Sequence, residues 1–586
     1  MDTDSPHADS DTSSVVLRVS RTSFVAIAMI LAGWMVFPRL LLPPSFDATN
    51  AYLPMARHVL SEGWAYLQRP ESLAYGPVAF LYPALLGANE MTVRYANVGL
   101  YVAAVMLGYV TVSKTQSWQA GTAAAFLLAL SPTLQPFMAD ALSEPPFVFL
   151  MAIWALAVSS ASREGGSSGA WIVAGGVALG LATLARPAAM YFAPLMIAIF
   201  GLRWWRTRRA PFGKLAAMHA IALAISAAWI ARNAMVFGFP SIATGAGAAL
   251  WFGANPLVDG YEPAYFGLDY DSGLVQQDTT HLTIKADRVL RAVAAVELRD
   301  TPLAVLAEMC LHKAGAFLFV TSAETSSEPV AFMRMWRIAL ATLAVAAIIF
   351  RRKSPIVVAL GILVAYMVAV HIPVMYHYRY SVGALDLPLT LLAAIGLAEA
   401  ARSVPRAAAM IFAATLGVGL GLAEMAHAGP RSPMPDRIAL EVLWMRNIGT
   451  THVVGPGEPP IDFSITKDPT TFRWDLTMLE MELSVSPLVK RGVCDRLRIR
   501  FRTPGEKDFA VRRPVRVPIT SDGRMHKLVI GTSYPISLRG EGVVRLDFEC
   551  SSPAAVEIGQ VAVLSPLRQQ YYWDLYQRQR QEEKRP

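Results

Sequence analysis

Long apolar stretches recur along most of this chain, and they constrain its fold more than any other feature. A bilayer core about 30 Å thick needs roughly 20 apolar residues of helix, and roughly eleven stretches approach that length. They lie at 22–43, 92–112, 120–131, 146–160, 170–185, 188–202, 215–230, 333–350, 356–372, 381–400 and 407–425. The pattern predicts a polytopic α-helical membrane protein with about 11 transmembrane helices.

Composition excludes several other classes of protein. Of the 586 residues, 54% are hydrophobic and 16% are charged, whereas ordinary soluble chains carry about 25% charged residues. Intrinsic disorder and an extended nucleic-acid surface are therefore not favoured. The three cysteines, Cys310, Cys494 and Cys550, are too few for a disulfide scaffold, and no CxxC or HExxH spacing points to zinc.

Basic residues concentrate at alternate ends of the predicted spans. If the N-terminus is inside, the inner ends hold Arg18, Arg21, Lys114, Arg163, Arg203, Arg206, Arg208, Arg209, Lys214, Arg351, Arg352, Lys353, Arg402 and Arg406. The positive-inside rule then predicts a cytoplasmic tail at 1–21, a membrane domain at 22–426 with exported loops at 44–91 and 231–332, and an exported region at 427–586. We expect a multi-pass inner-membrane protein with a periplasmic C-terminus and no nucleic-acid partner.

The region 427–586 shows the alternation of half-buried strands. Leu497, Ile499 and Phe501 alternate with arginines, and Val544, Leu546 and Phe548 alternate with charged residues. The pattern predicts an all-β sandwich with a charged tail at its end. The pattern does not decide whether Cys494 and Cys550 form a disulfide, because Cys494 is out of phase with Leu497 in the strand alternation.

One carboxylate follows the first predicted span directly. Asp47 comes just after Pro43 and Pro44, which end the span, and a helical pattern continues to Gly63. One interpretation is that Asp47 caps this interfacial helix. The other is that it acts as a general base at the boundary between water and lipid, where partial desolvation raises the pKa of a carboxyl.

Several motifs at predicted outer ends occur in a characteristic order. They are the acid at Asp47 followed by ARHVLSEG at 56–63, GLATLARP at 180–187, WIARNAMVFGFP at 229–240 with ALWFGANP at 249–256, and YHYRY at 376–380. In this order the chain resembles the C-type glycosyltransferases, the superfamily of protein O-mannosyltransferases and lipid A aminoarabinose transferases. Two departures are Ala48, where many relatives have Glu, and Tyr75-Gly76-Pro77 in place of a His-Pro-Pro run.

The resemblance implies an enzyme that takes a sugar from a polyprenyl-phosphate donor. Asp47 would deprotonate an acceptor hydroxyl, which displaces the phosphate in one inverting step. Arg379 is the best candidate for the donor phosphate, and Arg186, Arg232 and Lys313 are further candidates. The alternative for each of these cations is a purely structural place among interfacial residues or lipid headgroups.

Other residues are predicted to bind the acceptor or the sugar. Asp140 and Glu144 are four apart in the second outer loop, although capping of the following helix is the simpler interpretation. Tyr380 and the long-loop Trp251 complete the predicted set, with stacking on sugar rings as the role of Trp251 and surface anchoring as its alternative.

No cofactor or metal is assigned from the sequence. The spacing of His371 and His377 does not fit one helical face, so a divalent metal held with Glu144 is only an alternative. Asp386 follows Arg379 by about two helical turns, and we expect it to neutralise that arginine.

The expected partners are a polyprenyl-phosphate sugar donor, the lipid bilayer, and an acceptor that is a lipid, a glycan or a protein. Two other functions stay open. A lipid-linked glycan ligase or polymerase would share the topology, and a secondary transporter would show internal repeats and charged residues in mid-span. A membrane scaffold without enzymatic activity is the remaining alternative.

Overall fold

The computed structural model describes residues 9–45, 47–163, 169–254, 260, 282–320, 330–402, 417, 440–466, 477–489, 494–502, 515–532 and 541–566. Its helices are α1 (Asp9–Val36), α2 (Leu53–Glu62), α3 (Trp64–Leu67), α4 (Val78–Leu85), α5 (Glu90–Thr115), α6 (Trp118–Ala129), α7 (Gln135–Met138), α8 (Glu144–Ala161), α9 (Gly169–Ala185), α10 (Phe192–Thr207), α11 (Ala210–Phe237), α12 (Ala246–Ala254), α13 (Ile284–Asp300), α14 (Leu303–Phe319), α15 (Val330–Arg351), α16 (Pro355–His371) and α17 (Tyr378–Ala400). All of them precede the first strand. The predicted fold class, a helical membrane protein with a C-terminal β region, is confirmed.

Seven of the described helical segments are long and apolar enough to cross a bilayer. They are Thr22–Leu41, Glu90–Thr115, Glu144–Ala161, Pro187–Thr207, Ala210–Phe237, Phe332–Arg351 and Tyr378–Ala400, and α9 and α16 are shorter apolar helices. The predicted span at 120–131 is α6, which has 12 residues and at about 1.5 Å per residue does not cross the core alone. Most of the predicted span at 407–425 lies outside the described residues, so the total of about 11 stays a prediction.

Helix α17 lies at the centre of the helical part. Within its candidate span 89% of the residues are buried, against 17% for α11. It contacts α15, α6, α16 and α8, and its small residues Ser381 and Gly383 are buried near its start. Side chains at the start of α17 therefore meet those of several other helices at one end of the bundle.

The C-terminal strands form two antiparallel four-stranded sheets. The strands are β1 (Leu440–Val454), β2 (Ile461–Thr466), β3 (Thr477–Pro487), β4 (Cys494–Arg502), β5 (Val515–Pro518), β6 (Met525–Thr532), β7 (Glu541–Cys550) and β8 (Ala554–Pro566). Their orders are β1-β8-β3-β6 and β2-β7-β4-β5. Alternate residues such as Leu483, Ile558, Leu497 and Leu546 are buried in one hydrophobic cluster, which is the arrangement of a sandwich.

A disulfide joins Cys494 to Cys550 across β4 and β7. The register is irregular between Cys494 and Arg496, where β4 advances by two residues while β7 advances by one. Because a bulge of this kind reverses the side-chain alternation, Cys494 and Leu497 are both buried although they are three residues apart. The sequence alternation alone could not show this bulge.

Candidate active site

Asp47 lies where the chain leaves the first span and re-enters a helix. It precedes a π-helical turn (Ala48–Tyr52) that continues into α2. Among the described contacts, its carboxylate makes no hydrogen bond that caps this turn; instead it accepts one from Nη1 of Arg379, 332 residues away in sequence. The helix-cap interpretation is therefore not what the structure shows. The Asp47 side chain is 30% exposed, so one edge of the carboxylate faces solvent.

Arg379 joins a second carboxylate, that of Glu144 at the start of α8. Its Nε donates to Oε1 of Glu144 at 2.5 Å and its Nη2 to Oε2 at 3.3 Å. This two-pronged contact fixes the plane of the guanidinium. Glu144 is fully buried, whereas the side chain of Arg379 is 16% exposed.

A second guanidinium reaches the same buried carboxylate. Arg186 follows α9 with an extended backbone, and its Nη1 lies 3.4 Å from Oε1 of Glu144. Gly383 of α17 makes room for it, because a Cβ there would lie 2.5 Å from Nη1 of Arg186 and 3.3 Å from Cγ of Glu144. We call Asp47, Glu144, Arg186 and Arg379 the ion cluster.

The ion cluster is formally neutral, but its two carboxylates differ in exposure and in the arginines that they contact. Both arginines face Glu144, which has no exposure, while Asp47 is the more exposed acid and, among the described residues, pairs with Arg379 alone. An incoming anion can displace Asp47 from Arg379 at a lower free-energy cost than it can displace Glu144. If Glu144 were displaced, its charge would be left buried without a partner. The arrangement is thus suited to bind an anion at Arg379 while the displaced carboxylate of Asp47 stays accessible to solvent.

Asp140 lies close to the ion cluster in a different role. Its Oδ2 accepts the backbone N–H of Ser45 at 3.0 Å, and its Oδ1 accepts the backbone N–H of Ala141 at 2.7 Å. Burial raises the pKa of the Asp140 carboxyl above its usual value, and these hydrogen bonds oppose that shift. The predicted acceptor role of Asp140 stays a prediction.

Two tyrosines beside Asp47 were missed by the sequence reasoning. The rings of Tyr52 and Tyr75 meet edge to face at 4.9 Å between centroids. Burial raises the pKa of the Tyr52 hydroxyl to about 12, and burial together with the negative charge of Asp47 raises that of Tyr75. Both hydroxyls therefore stay protonated and can donate hydrogen bonds at neutral pH. The replacement of His-Pro-Pro by Tyr75-Gly76-Pro77 was the signal that pointed to this position.

Tyr380 is adjacent to Arg379 in the sequence, and its ring lies near the rings of His371 and His377. Ring centroids are 6.4 Å apart for Tyr380 and His371, and 5.8 Å apart for Tyr380 and His377. Tyr380 lies next to Arg379 in the first turn of α17, and its sugar-binding role stays a prediction.

Two other predicted residues, Lys313 and Trp251, are described by contacts or burial that do not involve the ion cluster. Nζ of Lys313 donates to the carbonyls of Gly253 at 2.6 Å and Val374 at 3.4 Å. Trp251 is buried in α12. Their predicted roles in phosphate and sugar binding stay predictions.

Arg232 occupies an aromatic setting on α11. Its guanidinium lies 4.8 Å from the ring centroid of Trp229 and 5.0 Å from that of Phe237, and it donates to Oδ1 of Asn233 at 2.7 Å. The described partners of this guanidinium are thus two aromatic rings and a side-chain amide. Phosphate binding by Arg232 likewise stays a prediction.

The prediction that Asp386 neutralises Arg379 is wrong. Asp386 instead accepts hydrogen bonds from Nη2 of Arg337 at 2.8 Å and from Oγ1 of Thr133 at 2.5 Å. Seven residues along a helix return a side chain to nearly the same face but about 10 Å farther along the axis. Asp386 is therefore too far along α17 to pair with Arg379, and α15 supplies its partner instead.

No cluster of three or more His, Cys, Asp or Glu side chains that could hold a metal ion occurs among the described residues. In the ion cluster, the two carboxylates are already engaged by guanidinium groups. A cationic metal would have to compete with Arg379 for both of them.

No family model and no curated protein matches this sequence. Among solved structures, it is similar to the oligosaccharyltransferase AglB from Archaeoglobus fulgidus in complex with an inhibitory peptide and a dolichol-phosphate, at 14% identity and a TM-score of 0.39, over 71% of this chain and 57% of that chain. It is also similar to ArnT from Cupriavidus metallidurans bound to undecaprenyl phosphate, at 15% identity and a TM-score of 0.30, over 67% of this chain and 79% of that chain. The chain thus spans little more than half the length of the archaeal enzyme. Similarity at this level does not establish a shared activity.

Proposed function

We propose that this protein is a membrane glycosyltransferase that moves a sugar from a polyprenyl-phosphate donor to an acceptor hydroxyl on the exported face. The observation that carries the proposal is the ion cluster, in which a partly exposed carboxylate and two guanidinium groups lie together at the end of a transmembrane bundle. A base and fixed cations are the two groups that this reaction needs.

The donor phosphate binds at Arg379 and Arg186. Glu144 holds both guanidinium groups in fixed positions, so they are already oriented when the phosphate arrives. The phosphate displaces Asp47 from Nη1 of Arg379, because Asp47 is the more exposed of the two acids. Binding of the donor thereby frees the base.

Transfer is then a single displacement. The freed carboxylate of Asp47 takes the proton of the acceptor hydroxyl while the hydroxyl oxygen bonds to the anomeric carbon. The bond from that carbon to the phosphate oxygen breaks, its electron pair moves onto the phosphate, and Arg379 and Arg186 stabilise the added charge. Attack opposite the leaving group inverts the anomeric configuration.

A lipid-linked donor suits the surroundings of Asp47. Phe37, Leu41 and Leu42, which end the first span, are exposed large apolar residues, and exposure of this kind at the end of a span is typical of a surface that faces lipid. The disulfide between Cys494 and Cys550 supports an oxidising compartment for the β region. These features support a site on the exported side of the inner membrane.

The decisive variant is Asp47→Asn, which keeps the shape of the side chain and removes the base. We expect sugar transfer to fall by about 10²- to 10⁴-fold. Affinity for undecaprenyl phosphate, measured with purified protein in detergent, should stay or rise by up to about fivefold, since a competing ion pair at a partly exposed site is lost. Glu71→Gln, at an exposed acid of the same loop, is the matched control.

Transfer is measured by mass spectrometry of envelope lipids, glycans and glycoproteins in a deletion strain that carries each variant. Activity of Asp47→Asn within about threefold of wild type would contradict the assignment of the base. Products that carry whole glycans instead of single sugars would favour the lipid-linked ligase or polymerase.

A secondary transporter is the second candidate. The observation that favours it is the buried ion pair of Arg337 and Asp386 inside two candidate spans, because transporters carry charged residues in such places. Uptake of a labelled solute into proteoliposomes, with no sugar transfer in the deletion-strain assay, would favour the transporter.

A further inference from the structure

Arg94, near the start of α5, ties together two segments that are distant in the sequence. Its Nη2 donates to the carbonyls of Arg39 at 2.6 Å and Leu42 at 3.0 Å, at the end of the first span. Its Nε donates to the carbonyl of Ala139 at 2.9 Å, just before α8. Arg94 is buried, and it also pairs with Glu90 one turn earlier. Each direction of the guanidinium thus has a partner.

Asn97 adds a second contact between α5 and the segment that precedes α8, at Asp140. Asn97 lies one turn after Arg94, is fully buried, and donates from Nδ2 to the carbonyl of Asp140 at 2.6 Å. The backbone of Asp140 is held by this hydrogen bond. The carboxylate of Asp140 in turn accepts a hydrogen bond from the backbone N–H of Ser45. One helix therefore fixes Asp140, and Asp140 fixes the segment that leads into Asp47.

The positions in sequence explain why this matters for the ion cluster. Ser45 precedes Asp47 by two residues, and Asp140 precedes Glu144 by four. The carbonyl of Ser45 in turn accepts hydrogen bonds from the N–H and the hydroxyl of Thr49, in the turn that follows Asp47. A displacement of Ser45 would therefore move the backbone on both sides of the Asp47 carboxylate relative to Glu144.

We infer that Asp140 is a positioning residue, which holds the Asp47 segment in register with Glu144 through Ser45, while Arg94 and Asn97 fix Asp140 itself. This inference rests on the proposed function, because it concerns the geometry of its base. It differs from the role expected from the sequence, in which Asp140 contacts the acceptor or sugar. When the donor phosphate displaces Asp47 from Arg379, the hydrogen bond from Ser45 to Asp140 keeps the freed carboxylate at the site.

The test compares Asp140→Ala, Asp140→Asn and the control Glu71→Gln in purified full-length protein. Amide hydrogen exchange of peptides covering residues 42–52, read by mass spectrometry, reports the segment directly and needs no substrate. We expect at least about tenfold faster exchange in Asp140→Ala, because the Ser45 amide loses its acceptor. Asp140→Asn keeps one side-chain oxygen and should show an intermediate rate, and Glu71→Gln should match wild type.

Function provides the second measurement. Sugar transfer by Asp140→Ala should fall by about 10- to 100-fold, as expected for a misplaced catalytic group, while affinity for undecaprenyl phosphate stays within about threefold of wild type. Asp140→Asn should recover part of the transfer in parallel with its slower exchange. A direct contact between Asp140 and the acceptor would not make sugar transfer and amide exchange change in parallel.

Two results would overturn the inference. One is wild-type exchange at residues 42–52 in Asp140→Ala, which would leave Asp140 as a direct ligand if transfer still fell. The other is full transfer in Asp140→Ala despite fast exchange. Failure of the proposed function itself is seen separately, as activity in Asp47→Asn, and does not alter the exchange measurement. The isosteric Asp140→Asn keeps the test valid if Asp140→Ala does not fold.

Discussion

Arg379 is shared by two carboxylates that differ in their access to water. Glu144 is fully buried and receives two hydrogen bonds from Arg379, whereas Asp47 is partly exposed and receives one. In the proposed mechanism this difference decides which acid the donor phosphate displaces, since an unpaired charge costs far more in the interior than at the surface. The chemistry of the site thus depends on the exposure of each group as much as on its identity.

Gly383 offers a test of this arrangement that leaves all four charged residues in place. Gly383→Ala would put a methyl group 2.5 Å from Nη1 of Arg186, so the guanidinium must shift from its present position. We expect affinity for undecaprenyl phosphate to fall by about tenfold, or 1.4 kcal/mol. The measurement is lipid binding to purified protein.

The control for this variant is Gly201→Ala in α10, where a Cβ meets nothing within 4 Å. Alanine raises helix propensity at both positions, so a difference between the two variants reports the contact with Arg186. Unchanged lipid affinity in Gly383→Ala would remove Arg186 from the phosphate site.

At the scale of helices, the bundle is joined inside the membrane by a polar contact between α15 and α17. Arg337 and Asp386 are both fully buried, and Thr133, between α6 and α7, donates to the same carboxylate. Because lipid and protein interior both lack water, each charge depends on the other. This contact sets the register of α17, whose first turn carries Arg379.

We therefore expect Arg337→Met alone to destabilise the protein by about 3 to 5 kcal/mol, since it leaves Asp386 charged and buried. The double variant Arg337→Met with Asp386→Leu should recover most of the loss, because no unpaired charge is left. The measurement is thermal unfolding in detergent, analysed as a double-mutant cycle. A double variant as unstable as the sum of the two single changes would show that the pair does not act as a unit.

At the scale of the whole molecule, a helical membrane part is followed by a sandwich of two sheets, one of which contains a disulfide between neighbouring strands. The bridge spans 56 residues, which corresponds to about 4 kcal/mol of lost chain entropy in the unfolded state. Its cysteines lie on neighbouring strands that do not follow one another in sequence. The disulfide therefore links two parts of one sheet that are distant in the sequence.

The proposed export of the sandwich can be tested by a thiol count. After denaturation without reductant, a maleimide should label one cysteine per chain, Cys310, and all three after reduction. Replacement of Cys494 and Cys550 by serine should lower the unfolding midpoint of the sandwich. Three reactive thiols before reduction, in protein purified from its own membrane, would place the sandwich in a reducing compartment.

The sequence by itself determined the class of the fold and provided all four members of the ion cluster as candidate site residues. Periodicity and length identify helices that must satisfy their backbone groups in lipid, and strict alternation identifies strands. Asp47, Arg379, Glu144 and Arg186 were singled out because they are charged residues at predicted outer ends of spans. Such features are local, so they can be read without knowing which segments meet.

Only the tertiary structure decided the partners. Arg379 lies 332 residues from Asp47 and 235 from Glu144, and helical spacing suggested Asp386 for it, whereas α15 provides the partner of Asp386. The bulge that buries Cys494 and the contact of Asp140 with Ser45 are equally invisible in the sequence. The physical reason is that spacing fixes the direction of a side chain, whereas the packing of distant helices fixes what it meets and how much water remains there.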